Sequence, residues 1–169
     1  MPKRYWLFKN EPDCFSIDDL ENTSRQTTGW EGVRNYQARN FLRDEVKEGD
    51  EVLFYHSNAN PPGVVGICRV VRGGYPDPTA LDPRSKYYDP RSTKDKPRWY
   101  MVDIKLTNRL VDIIPLSTLK KTPGLENMMV TQKGSRLSIQ PVTPGEWRTI
   151  LRLIRQMQNR FGRRALSAW

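Results

Sequence analysis

The chain has 169 residues, with 28 lysines and arginines against 19 aspartates and glutamates, a formal net charge of +9. That length carries one domain with a real core, or one domain with small appendages, and the positive surface favours acidic partners, nucleic acid first, without deciding the fold. Cys14 and Cys68 form no CxxC pair, which excludes a disulfide scaffold and a zinc module and suits a reducing compartment.

In chain order, Arg4 to Lys9 reads as a short aromatic-rich strand stopped by Pro12. Ser16, with Asp19 three residues on, caps one or two helical turns, and Asn22 to Thr28 is a polar loop. Gly29 to Leu42, GWEGVRNYQARNFL, sets Trp30 on a glycine-flanked loop just before a helix that Asn35 caps. The apolar spacing of Ala38, Phe41 and Leu42 carries that helix. Two readings of Trp30 stand. It plugs the core, as tryptophans usually do, or it offers its face to a planar ligand beside free helix-start N–H groups.

Glu48-Gly49-Asp50 is a turn into the strand Glu51 to Tyr55, whose continuous apolar run implies burial on both faces. Val64 to Val71 is the returning strand, and Gly66 inside it marks a bulge or a close approach. Gly73 to Pro97 reads as a long irregular stretch, functional or mobile by its length. Trp99 to Leu106, Val111 to Ile114 and Leu137 to Val142 read as strands, and Leu116 to Lys121 as one helical turn. Thr143, Pro144 and Glu146 then open the clearest helix, with Trp147, Ile150, Leu151, Ile154, Met157 and Phe161 on one side. Arg148, Arg152 and Arg155 lie on the other side, with Arg160, Arg163 and Arg164 running into a basic tail; this face is either solvated or touches phosphates. The expected architecture is one domain over residues 1–169, with residues 143–162 as a C-terminal helix packed on it. Its class is α+β, with the sheet curling into a small barrel. No apolar run approaches the ~20 residues of a membrane span, and the N-terminus lacks the apolar stretch of a signal peptide. A cytoplasmic location is expected, or a nuclear one in a eukaryote.

Catalytic chemistry finds little support. His56 is the only histidine, and Ser57 beside it on a strand points to the opposite face, so the pair cannot form a triad's hydrogen bond. A single histidine with scattered acids is a poor metal set, and neither GxxxxGK[ST] nor GxGxxG occurs. No cofactor or metal is expected.

Several stretches together resemble the EVE domain family, a branch of the PUA-like superfamily that also includes YTH domains. Lys9-Asn10-Glu11-Pro12 is similar to that family's KSEP motif, with Asn10 in place of Ser, and FSIDDL follows. GWEGVRNYQARN, FYHSN, Pro62 to Gly66, Tyr87-Tyr88-Asp89-Pro90, Trp99 to Val102 and RLSIQPV complete the series in order, over nearly the whole chain. The resemblance implies a PUA-like curled β-barrel of about five to six strands, with flanking helices and an aromatic-lined pocket. It implies a non-enzymatic module that binds a modified, flipped-out base in DNA or RNA. By position it assigns the base pocket to Trp30, Asn35, Ser57, Asn58, Tyr88 and Asp89, with Tyr88 where YTH domains carry a second tryptophan. It assigns backbone contacts to Lys9, Arg39 and Arg136. Two alternatives stay open: a small-molecule sensor or RNA-processing accessory using the same pocket, and a nucleic-acid-modifying enzyme.

Overall fold

The computed structural model describes residues 2–167, with side chains through residue 162. Strand β1 (Tyr5–Asn10) is followed by helix α1 (Ile17–Glu21), strand β2 (Thr27–Gly29) and helix α2 (Tyr36–Asn40), which continues as a π-helical turn over Phe41–Glu45. Strands β3 (Glu51–His56), β4 (Gly63–Pro76) and β5 (Tyr100–Pro115) come next, then helix α3 (Leu116–Lys121), strand β6 (Ile139–Val142) and helix α4 (Pro144–Ser167). The expected basic tail beyond residue 162, Arg163 and Arg164 included, falls outside the described side chains.

The strands form one mixed six-stranded sheet in the order β2-β5-β4-β3-β1-β6. Strand β1 runs parallel to β3, and every other pairing is antiparallel. The α+β class is as expected, but the sheet does not close into a barrel: β2 and β6 are its edges. Its curvature lies in the long β4–β5 ribbon, where several register shifts coil the strands. The far end of that ribbon meets only the three-residue β2.

Both faces of the sheet are covered, which explains the continuous apolar run in β3. Trp6, Phe8, Val52 and Phe54 point into one core with Trp30, Ala38 and Leu42. The alternate residues Leu7, Leu53 and Tyr55 point into the other, against Trp147, Ile150 and Ile154 of α4. Both expected capping boxes form. Ser16 Oγ accepts from Asp19 N while Asp19 accepts from Ser16 N, and Thr143 and Glu146 exchange the same pair of bonds at 3.0 and 3.1 Å.

Three boundaries differ from the sequence reading. Strand β4 continues through the Gly73-Gly74 pair to Pro76, because Tyr75 and Pro76 find partners in Met101 and Tyr100. The two strands expected between Trp99 and Ile114 are one. Gly29 ends an edge strand rather than sitting in a loop, opposite Asp103. Gly66 does mark both a register shift and a close approach: a Cβ there would stand 2.8 Å from Ile17 Cδ1.

Candidate functional site

A cavity of about 370 Å³ opens where the end of β1, the edge strand β2, the Trp30 loop and the long segment between β4 and β5 converge. That volume lies at the small end of the range for ligand pockets. The ladder carries the chain into it: Trp30 N donates to Val102 O at 2.8 Å, one step beyond the last β2 pair. Trp30 is only 5 % exposed. Its indole packs against Phe8 and Phe54, with ring centroids 5.3 and 5.5 Å away. It also lines the cavity. The core holds the ring, and one part of the ring also walls the hollow.

Facing elements of the cavity come from the long segment. Tyr87 lines it and Tyr88 does not. What holds Tyr87 there is Arg34, whose Nε and Nη2 donate to the Tyr87 carbonyl at 3.1 and 2.6 Å. The same guanidinium donates to Asp77 Oδ2 at 3.1 Å and to Thr79 Oγ1 at 3.3 Å. Asp77 is buried and also accepts from Gly32 N at 2.9 Å. Burial raises its pKa, but the hydrogen bonds from Thr79, Gly32 and Arg34 outweigh this and hold the carboxyl below its usual range. Gly32 has φ +82°, and a Cβ there would lie 2.5 Å from the Tyr87 ring, so only glycine lets the ring settle on the loop.

Polar groups on the wall come from Asn10, Thr28, Glu31, Tyr75 and Lys86. The Tyr75 hydroxyl donates to Asp103 Oδ1 at 2.5 Å; burial and this bond push its pKa up. Glu31 has its pKa raised by partial burial and by nearby Asp77, against the pull of Lys86 and Arg34. Lys86 sits with its ammonium 5.0 Å from the Tyr87 ring centroid.

Asn35 Oδ1 accepts from Ala38 N at 2.9 Å, so the expected cap forms and occupies that acceptor. Ser57 N donates to Asn10 O at 2.9 Å, and Asn58 Nδ2 donates to Glu11 Oε1 at 2.6 Å; both lie beside the β1 end but off the cavity wall. Tyr88 is 41 % exposed and does not line the cavity. Asp89 accepts from Trp99 Nε1 at 2.7 Å and from Arg91 N at 3.0 Å, bonds that hold its carboxyl below the usual range. Lys9 Nζ donates to Ser135 O at 3.2 Å, and burial lowers its pKa. Arg39 donates to Arg98 O at 2.8 Å and stacks over Tyr36. The Arg136 side chain is exposed and bonds to no described residue. Arg34, Asp77 and Tyr87 carry no signal of their own in the sequence, although Arg34 lies inside the GWEGVRNYQARN motif and Tyr87 is adjacent to Tyr88.

Other chemistry is poorly supplied. His56 Nε2 accepts from Ile17 N at 3.1 Å and so holds the start of α1. No group of three or more His, Cys, Asp or Glu side chains among the described residues is placed to share a metal ion.

Residues 4–153 match the family model of the EVE domain. Human thymocyte nuclear protein 1 is 43% identical over 166 residues, covering 88% of this chain and 73% of that protein. A crystal structure of the human protein, in complex with DNA containing 5-methylcytosine, has a TM-score of 0.83 at 42% identity, covering 90% of this chain and 98% of that one. A hypothetical protein from Leishmania major has a TM-score of 0.86 at 47% identity, covering 93% and 98%. A YTH domain from Zygosaccharomyces rouxii shares the fold, with a TM-score of 0.51 at 16% identity over 90% of this chain and 86% of that one. Motif order, fold and similarity over most of the chain agree: the chain belongs to the EVE domain family.

Proposed function

We propose that this protein is a non-enzymatic reader of a modified base in nucleic acid, with a flipped-out 5-methylcytosine in DNA as the leading ligand. The observation that carries this is the cavity walled by Trp30 and Tyr87, in a chain similar to a human protein solved with 5-methylcytosine DNA. Stacking of a base between aromatic faces is worth about 1–3 kcal/mol. Flipping that base out of a duplex costs a few kcal/mol. The charge of +9 supplies the phosphate contacts and counterion release that offset this cost. Lys86 at the cavity, with Lys9, Arg39 and Arg136 further out, are the backbone contacts we assign. The place of action we assign is the cytoplasm, or the nucleus of a eukaryote.

The test is binding of short labelled oligonucleotides carrying plain or modified cytosine or adenine at one position. We expect the 5-methylcytosine oligonucleotide to bind tightest, and Trp30→Phe to reduce that preference while the protein stays folded. Equal binding of all the oligonucleotides would reject the reading.

A further inference from the structure

Glu31 is the only acidic residue on the described wall of the cavity. In a protein of charge +9 that meets a polyanion, a carboxylate at the mouth weakens phosphate binding unless it does something else. It follows Trp30 directly, and its backbone N–H donates to Gly29 O at 3.1 Å. The residue is exposed, and its carboxylate accepts no hydrogen bond and forms no ion pair with any described residue. Among nearby charges, Lys86 and Arg34 attract it and Asp77 repels it, and its acceptor positions stay open.

Asn10 supplies the complementary group. Its Oδ1 accepts from Glu11 N at 3.0 Å, which fixes the amide and leaves Nδ2 as a donor on the same cavity wall. An ionised carboxylate only accepts, and an amide nitrogen only donates. Cytosine-type bases carry a 4-amino donor beside ring acceptors, and a carboxylate is a partner for that amine. Thymine has the same 5-methyl group as 5-methylcytosine but a 4-keto oxygen, which a carboxylate repels. An apolar slot for the methyl group cannot separate these two bases; a hydrogen-bonding group at position 4 can.

We propose that Glu31 accepts a hydrogen bond from the 4-amino group of the bound pyrimidine, with Asn10 Nδ2 donating to the ring edge, so that the site takes a 4-amino and rejects a 4-keto base. This rests on the base-reading function proposed above. The experiment uses fluorescence anisotropy on the full chain with short duplexes. Each carries 5-methylcytosine, cytosine or thymine opposite an abasic site, so that no pairing is lost on flipping. Wild type should bind 5-methylcytosine at least about tenfold more tightly than thymine. In Glu31→Gln, whose amide can turn either its oxygen or its nitrogen to the base, that ratio should fall to about threefold or less. Affinity for the two cytosines should fall together, and the melting temperature should stay at the wild-type value. A Glu31→Gln protein that keeps the wild-type ratio overturns the proposal and leaves base reading intact. Wild type that binds all three duplexes equally overturns base reading, and this assignment with it.

Discussion

Arg34 and Tyr87 stand 53 positions apart, yet the guanidinium of one binds the backbone carbonyl of the other through two hydrogen bonds. This bond joins the chain that carries Trp30 to the segment that supplies the facing ring. The guanidinium also lies 5.6 Å from the Tyr87 ring centroid and 5.2 Å from that of Trp99, so it packs on both rings as well as pairing with Asp77. The irregular stretch between β4 and β5 is thereby tied to the Trp30 loop at the cavity.

Removing this link should be costly. Arg34→Ala leaves Asp77 buried without its cation and frees the Tyr87 carbonyl; we expect a loss of about 2–4 kcal/mol in urea unfolding. Arg34→Lys should recover less than half of that, since an ammonium cannot reproduce the planar fork. Full recovery by lysine would show that only the charge matters.

Gly32→Ala sets two demands against each other. The positive φ costs a non-glycine residue about 1–2 kcal/mol, and the new methyl group collides with the Tyr87 ring. We expect a destabilisation of that order and a weaker grip on the oligonucleotide, because the ring is displaced from the wall. Unfolding curves and binding isotherms on the same preparation check both.

Trp30→Ala and Trp30→Phe should separate the two duties of the indole. The alanine variant loses a buried aromatic, a change that typically costs about 3–5 kcal/mol, so its binding defect cannot be told from poor folding. The phenylalanine variant keeps contact with Phe8 and Phe54 while offering a smaller face to the cavity. It should lose affinity for the modified oligonucleotide by more than its change in unfolding midpoint accounts for.

Stability should fall in mild acid through His56. Burial pushes its pKa below the ordinary imidazole value of 6.5; Arg109 adds to this and Asp18 opposes it. A depressed folded-state pKa means that the unfolded chain binds the proton more readily. The stabilisation is therefore complete above pH 6.5 and is lost as pH drops through the lower, folded-state value. A protonated ring cannot accept from Ile17 N, so the start of α1 should loosen. Urea midpoints measured at intervals from pH 7.5 to pH 5 should decline, and His56→Gln should flatten this part of the profile.

Much of the local structure was legible in the residue string because the interactions that set it span only three or four positions. The Ser16–Asp19 and Thr143–Glu146 boxes, the Asn35 cap and the two-faced apolar run of β3 are of this kind. Motif order also carried the family. Tertiary contacts decided the rest. Whether Tyr87 or Tyr88 faces the cavity depends on Arg34 and Gly32, far away in sequence. Whether the sheet closes depends on how the β4–β5 ribbon coils and on how little of it β2 reaches. Adjacent residues in an irregular segment have no period to sort them into inside and outside, so only the partner that binds the backbone can choose between them.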